Sequence, residues 1–249
     1  MDDFMVLRDD ILSYLDRYLR VEEFSDYGPQ GLQVQGGKRV RKIVTSVSAS
    51  AQLFSQAAQL EAEMIIVHHG ILWDRDGFVV KGPLKQRLKI LLDNEITLLA
   101  YHLPLDKHEE CGNNAVAARE LGLREIGGFG DEGIQGRVDL TFDEMLERVT
   151  ALYKSDPLVF RFGPERIRRV GIYSGGAEHY LLRALDEGLD LFITGEAGEP
   201  TLHYAKEGRI NFIAAGHYAT ERVGIEALGQ HLGQIFDVDI TFVDIPNPI

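Results

Sequence analysis

The chain has 249 residues, 45% of them hydrophobic and 26% charged, with a formal net charge of −13 at pH 7. These fractions are ordinary for a globular protein of one large or two small domains with a substantial buried core. The acidic balance argues against a general nucleic-acid or anionic-membrane surface, because phosphate groups are bound mainly by Lys and Arg. It still allows a single nucleotide held in a metal-lined pocket.

Cysteine content and apolar segments indicate a cellular compartment. Cys111 is the only cysteine, so we expect neither an intrachain disulfide nor a thiolate metal site. The N-terminus lacks the basic and apolar regions of a signal peptide. No apolar stretch approaches the roughly 20 residues that span a bilayer. We therefore expect a cytoplasmic protein without a membrane partner.

The first half of the chain predicts alternating helices and strands. Residues 4–20 carry apolar side chains at helical spacing and predict an amphipathic helix. Residues 26–34 are rich in turn formers and predict a loop, whose glycines could also allow a close approach to a neighbour or ligand. A strand over 42–47, a helix to about Leu60 and a strand over 63–67 then form a β-α-β unit, which favours parallel strands.

The same alternation continues to the middle of the chain. We predict a helix over 83–93, a strand over 96–101 and a helix over 113–121. Residues 125–137 contain five glycines and little periodicity, and we interpret them as a joint between two halves. After the joint, Thr141-x-x-Glu144 has the form of a capping box and predicts the start of a helix.

The second half is predicted to repeat the first, which gives an α/β fold of two related lobes, residues 1–128 and 129–249. Arg168 follows Arg41 by 127 residues, and the apolar runs downstream align at the same offset, so that the pair His68-His69 falls on Gly195-Glu196. At an offset of 115, His217 aligns with His102 and Glu221 aligns with Asp106.

The pair His68-His69 ends an apolar strand and is the most unusual feature of the chain. Histidine is the commonest neutral metal ligand among side chains. Neighbouring strand residues face opposite ways, so the pair serves one ion only if the chain twists, or else offers one ring to each of two ions. We favour one ring for each ion.

Other donors follow other strands. His217 and Glu221 are one helical turn apart, a spacing that lets an imidazole and a carboxylate bind one ion together. Asp106 follows another strand, and ligands of open α/β sheets collect at the carboxyl ends of the strands. Together with His68 and His69 these residues suit two divalent ions such as zinc, iron or manganese. His102 and Glu196 are candidates for a supporting or acid–base role.

Several short stretches resemble the Nif-three-like dinuclear metal-centre family, also labelled GTP cyclohydrolase I type 2. They include Val67-His68-His69-Gly70, His102-Leu103-Pro104-Leu105-Asp106, Gly112-Asn113-Asn114 and Gly216-His217-Tyr218-Ala219-Thr220-Glu221. The resemblance implies two α/β lobes with a dinuclear metal site in the cleft between them. It implies the metal ligands His68, His69, Asp106, His217 and Glu221, and a homohexameric ring built as a trimer of dimers.

Two functions remain open at this point. The first is a metal-dependent hydrolase that acts on a small molecule, a nucleotide or related heterocycle, as a GTP cyclohydrolase does. The second is a non-catalytic regulatory or scaffold protein that holds metal in a ring-shaped oligomer. The sequence lacks the phosphate-binding loop G-x-x-x-x-G-K-[ST], which keeps the second function under consideration.

Overall fold

A computed structural model describes residues 6–77 and 79–249. The strands are β1 Val6–Leu7, β2 Gly31–Val34, β3 Arg39–Val40, β4 Lys42–Ser48, β5 Met64–His69, β6 Thr97–Ala100, β7 Arg124–Phe129, β8 Gly133–Thr141, β9 Leu158–Arg161, β10 Arg166–Tyr173, β11 Leu191–Thr194, β12 Asn211–Ala214 and β13 Asp239–Phe242. The α-helices are α1 Arg8–Tyr18, α2 Ala51–Gln59, α3 Gly82–Asp93, α4 Leu103–Lys107, α5 Asn113–Leu121, α6 Phe142–Tyr153, α7 Leu181–Asp186, α8 Thr201–Gly208 and α9 His217–Ile235.

The chain forms two compact units, and each combines separate stretches of sequence. The first runs to Leu105 and includes Ile225–Ile245, while the second comprises Asp106–Gly224 and Pro246–Ile249. The boundaries of these units differ from the predicted division at residue 128. Strand β13 pairs in parallel with β4 and so belongs to the first unit, although it lies near the end of the chain.

The first unit contains a five-stranded sheet in the order β13-β4-β5-β6-β2. Strands β4, β5 and β6 are parallel neighbours, and β2 closes the edge in the antiparallel direction. Helices α2 and α3 connect the three parallel strands, as the apolar runs predict. Side chains such as Phe54 of α2 and Ile65 of β5 are fully buried in one apolar core.

The second unit contains a six-stranded sheet in the order β7-β8-β10-β11-β12-β9. Its parallel strands β10, β11 and β12 with the antiparallel β9 reproduce the arrangement of β4, β5, β6 and β2. The fold is therefore α/β with two related sheets, as predicted. Phe129, Phe192 and Phe212 lie in its core.

Strand register tests the proposed offsets directly. Ile43 pairs with Met64, and Val170 pairs with Leu191, so the offset of 127 is confirmed. Met64 pairs with Thr97, and its counterpart Leu191 pairs with Asn211, so Asn211 corresponds to Thr97. The predicted offset of 115, which aligns Asn211 with Ile96, is therefore wrong by one residue. Strands buried on both faces lack the alternation that would fix register in a sequence. His217 therefore corresponds to Leu103, not to His102.

Two further predictions need correction. The predicted helix over 4–20 begins at Arg8, since Val6–Leu7 pair with Arg39–Val40, and residues 4 and 5 lie outside the described residues. The predicted joint over 125–137 is a hairpin of β7 and β8. Residues 124–128 are exposed and include two glycines, so the apolar alternation that marks a strand is absent.

Within the described ranges, no helix combines the length and apolarity that crossing a bilayer requires.

The capping box of α6 is present as predicted and gives a first test of the fold. The Glu144 backbone N–H donates to Thr141 Oγ1 at 3.2 Å, and the Thr141 N–H donates to Glu144 Oε2 at 2.7 Å. We expect Thr141→Ala to lower the free energy of unfolding by about 1 kcal/mol, measured by urea denaturation. Thr150→Ala on the exposed side of the same helix is the matched control. An equal loss from both variants would contradict the capping role.

Candidate metal centre

The histidine pair lies at the carboxyl end of β5. His68 is fully buried and His69 is partly exposed. Their ring centroids are 4.6 Å apart, with 50° between the ring planes. Since β4 and β6 flank β5 in parallel, the carboxyl ends of three strands meet at this edge, where open α/β sheets bind their ligands.

The ring of His68 is fixed in one tautomer by the backbone. Its Nδ1 lies 3.0 Å from the Tyr101 carbonyl oxygen, which can only accept, so Nδ1 carries the hydrogen. Nε2 is then the nitrogen whose lone pair suits a metal ion. Tyr101 is anchored in turn, because its hydroxyl donates to Asp16 at 2.9 Å. Burial and the Asp16 carboxylate raise the pKa of Tyr101 well above its usual value, so the phenol stays a neutral donor.

His69 is anchored on the other side of β5. Its Nδ1 lies 3.0 Å from the hydroxyl of Ser48, the last residue of β4. The two adjacent rings thus take their support from opposite sides of β5, from the residue after β6 for His68 and from the last residue of β4 for His69.

The backbone after the pair is held by Gln33. The Gln33 Oε1 atom accepts the N–H of Ile71 at 2.7 Å and that of Leu72 at 3.3 Å. A Cβ at Gly70 would lie 2.3 Å from the same Oε1, so a larger residue there would displace the Gln33 side chain. The segment 26–34, predicted to be a loop, thus ends in strand β2, and Gln33 of that strand holds the residues after the histidine pair.

His102 is held by a carboxylate that the sequence did not single out. Its Nδ1 donates to Asp26 Oδ1 at 2.9 Å, and Asp26 Oδ2 accepts the Leu103 N–H at 2.9 Å. Burial raises the pKa of Asp26. The hydrogen bond and the charge of His102, together with hydrogen bonds from two backbone N–H groups, lower the pKa by more than burial raises it. The net pKa is below the usual value, so Asp26 is an ionised anchor.

His68, His69 and His102 form one candidate metal-binding group. Each offers a ring nitrogen, and these atoms all lie within 4.8 Å of one another. The ring of His102 is 4.9 Å from that of His68 and 5.5 Å from that of His69, between centroids. Imidazole nitrogens suit zinc, iron and similar divalent ions, so the donor chemistry fits a metal.

Asp106 belongs to the second unit, where two buried donors orient it. Its Oδ1 accepts from Asn113 Nδ2 at 2.8 Å and from Ser174 Oγ at 3.2 Å. Asn113 Oδ1 in turn accepts the Gly224 N–H at 2.8 Å, and a Cβ at Gly224 would lie 2.4 Å from that oxygen. The carboxylate plane of Asp106 is therefore set by a network that also joins α5 to α9.

His217 is the first residue of α9 and sits between two carboxylates. Its Nε2 lies 3.1 Å from Glu221 Oε1, one turn along the helix, and its Nδ1 donates to Glu196. Burial lowers the pKa of His217, but Glu221 and Glu196 raise it more, to about 9. A cation bound at Nε2 would replace the proton held there. Glu196 thus orients this ring.

The turn after β10 shapes the space around Glu221. Glu221 is buried, and a Cβ at Gly175 would lie 2.4 Å from its Oε1. Gly175 has a φ of +70°, a conformation that favours glycine. The preceding residue, Ser174, is the one that donates to Asp106, so this single turn contacts both carboxylates.

Two further histidines have structural contacts. His108 Nδ1 accepts the backbone N–H of Cys111 at 3.2 Å and so supports the turn before α5. The His231 ring stacks on Tyr18 at 4.2 Å, and its Nε2 lies 2.6 Å from the Tyr14 hydroxyl. His179 and His203 are exposed.

Sequence reasoning missed the residues that hold the donors. Asp26 and Gln33 lie in the turn-rich segment, and Asn113 lies in a stretch that was used only for its family resemblance. Ser48 and Ser174 are single hydroxyl residues at strand ends, where serine is common. Their roles depend on contacts with residues distant in sequence, which no local pattern marks.

The fold is that of an α/β protein with two related sheets, and candidate metal-binding groups lie at the carboxyl ends of its parallel strands. The family model Duf34/NIF3 (NGG1p interacting factor 3) matches residues 6–248. The chain belongs to this family.

Relatives and solved structures agree with that assignment. A Pseudomonas aeruginosa protein named "GTP cyclohydrolase 1 type 2 homolog" is 43% identical, over 94% of this chain and 95% of its own length. A solved structure of protein ybgI, described as of unknown function, matches with a TM-score of 0.94 and 41% identity over 98% of this chain and all of its own. TTHA1606 from Thermus thermophilus matches with a TM-score of 0.92 and 37% identity, over 98% of this chain and all of its own.

The contacts of Asn113 generate a test of the network around Asp106. We expect Asn113→Ala to lower the free energy of unfolding by about 1–3 kcal/mol, because two buried groups, Asp106 Oδ1 and the Gly224 N–H, lose a partner. Urea denaturation of chelator-treated protein measures the change without any contribution from metal. Asn94→Ala, on an exposed helix end, is the matched control and should change stability far less. A loss from Asn113→Ala no larger than the control would show that the network is not stabilising.

Proposed function

We propose that this protein is a metal-dependent hydrolase that acts on a nucleotide or related heterocycle, in the manner of a GTP cyclohydrolase. The observation that carries the proposal is the group His68, His69 and His102, with its ring nitrogens within 4.8 Å of one another. At His68 the Tyr101 carbonyl oxygen, which accepts from Nδ1, leaves Nε2 as the ligand atom. The names of the curated relatives support the same class of reaction.

We further propose that two divalent ions are bound by five residues. Zinc, iron and manganese fit the mixture of nitrogen and oxygen donors. When bound, two such ions supply an activated hydroxide near neutral pH and stabilise charge on the attacking and leaving atoms. The proposed ligands are His68, His69, Asp106, His217 and Glu221.

The remaining polar residues position these ligands and the substrate. Asn113 and Ser174 fix the carboxylate of Asp106, and Glu196 fixes the ring of His217. His102 holds a hydrogen at Nδ1 against Asp26 and so presents Nε2 beside the histidine pair. We propose His102 and Glu196 as supporting groups in proton handling at the site.

The hydrolase proposal is tested by turnover. The metal-loaded protein is given GTP and a panel of nucleotides, nucleosides and bases, and products are followed by chromatography. We expect His217→Ala to abolish turnover, because it removes a ligand between two carboxylates. His203→Ala on the exposed side of α8 is the matched control and should retain full activity. No turnover on any compound, with metal binding verified, would count against the proposal.

Metal removal should also destabilise the protein. Because an ion bound only by the folded state stabilises that state, we expect dialysis against a chelator to lower the melting temperature. The same treatment of Asp106→Asn, which weakens one proposed ligand, should give a smaller decrease. An unchanged melting temperature after removal confirmed by metal analysis would show that packing alone holds the fold.

A scaffold without catalysis is the second candidate. The absence of a G-x-x-x-x-G-K-[ST] loop from the sequence favours it. In this alternative the chain forms a ring-shaped homo-oligomer, a hexamer built as a trimer of dimers, in the cytoplasm. Light scattering gives the oligomeric state. Metal coordination closed to solvent would favour the scaffold, and coordination that keeps open positions would favour the enzyme.

A further inference from the structure

Two aromatic side chains next to the histidine group have no part in the chemistry proposed above. The Trp73 ring is perpendicular to that of His102 at 5.3 Å and lies 6.2 Å from that of His69. The Tyr27 ring lies 6.5 Å from that of His102. Tyr27 is 69% exposed, and no large hydrophobic residue among the described ones is more exposed. Trp73 is only partly buried. Neither aromatic ring therefore serves mainly as core.

The backbone fixes both aromatic residues in place. The Asp74 N–H donates to the Tyr27 carbonyl oxygen at 2.9 Å, which ties the residue after Trp73 to Tyr27. A Cβ at Gly28 would lie 2.3 Å from the Leu72 carbonyl oxygen, so only a glycine allows the two segments to approach this closely. Exposed aromatic rings on a tightly joined backbone are prepared to bind without a large loss of conformational entropy.

The same contacts join the aromatic residues to the histidines. Asp26, the neighbour of Tyr27, holds the ring of His102. Gln33 holds the Leu72 N–H just before Trp73. The positions of Tyr27 and Trp73 relative to His102 are thus set by partly buried hydrogen bonds within one unit, as a binding site requires.

The charges of the loop 73–76 indicate which part of a ligand the loop would bind. Trp73 is followed by Asp74, Arg75 and Asp76, two carboxylates and one guanidinium, all exposed. Such a loop does not concentrate the positive charge that binds phosphate. Aromatic side chains instead stack on the flat faces of heterocyclic bases, whichever base is present.

We propose that Tyr27 and Trp73 form a stacking subsite for the ring of a planar nitrogen heterocycle of purine size. The subsite holds that ring beside His69 and His102, with any phosphate directed away from the loop 73–76. This proposal rests on the proposed function only in naming the bound ring as the substrate; ring binding itself needs no metal.

Intrinsic fluorescence provides a direct test, because Trp73 is the only tryptophan of the chain. Chelator-treated protein is titrated with guanosine, and the emission of Trp73 is recorded. Stacking should quench the emission in a saturable way, while ribose 5-phosphate, which lacks the ring, should leave it unchanged. Calorimetry of the same titration gives the dissociation constant independently of fluorescence.

Variants of the exposed tyrosine separate stacking from structure. We expect Tyr27→Ala to weaken guanosine binding by about fivefold or more, the lower end of the effect of removing one stacking ring. Tyr27→Phe keeps the ring and should bind guanosine as wild type does. Tyr204→Ala, an exposed tyrosine on α8, is the matched control and should also leave binding unchanged.

The outcomes distinguish this proposal from the proposed function. Absence of saturable quenching, equal quenching by ribose 5-phosphate, or unchanged affinity of Tyr27→Ala would each overturn the subsite, even if metal-loaded protein hydrolyses nucleotides. Ring binding that depends on Tyr27 in a protein without hydrolytic activity would support the subsite and count against the hydrolase alone.

Discussion

The parallel pairing of β4, β5 and β6 is the constraint on which the candidate site depends. In this register Ser48 lies beside His69, and Val67 lies beside Ala100, so three strands end at one edge. The residues that follow β6, Tyr101 and His102, are thereby brought to the histidine pair. A shift of one residue in either pairing would exchange the faces of the strand and separate the rings from their anchoring oxygens.

A second feature of the candidate site is an oxygen atom that fixes the orientation of a histidine ring, and it recurs at three histidines. A backbone carbonyl holds His68, the Asp26 carboxylate holds His102 and the Glu196 carboxylate holds His217. In each case the acceptor lies at Nδ1, so that nitrogen carries a hydrogen and the ring orientation is fixed. Both units therefore use the same chemistry, although their sequences place different residues at equivalent strand ends.

Elements were predicted correctly where the sequence carries a local pattern and were missed where it does not. Long apolar runs and the capping box of α6 are local patterns, and the elements that they predict are present. The exposed hairpin of β7 and β8 was missed because glycines and charges replace its apolar alternation. The alignment of His217 with His102 was wrong because an apolar strand buried on both faces does not reveal its register.

The sequence by itself determined the α/β class and the repeat at an offset of 127, and it marked the candidate donor residues, since each depends on local composition and spacing. Family resemblance gave a set of ligands but not their orientation. Only the tertiary structure decided that Asp26, Asn113 and Ser174 hold the donors, and that Tyr27 and Trp73 lie beside His102. Those contacts join residues far apart in the chain, and their geometry is set by strand register and by close approaches at glycines such as Gly28 and Gly70.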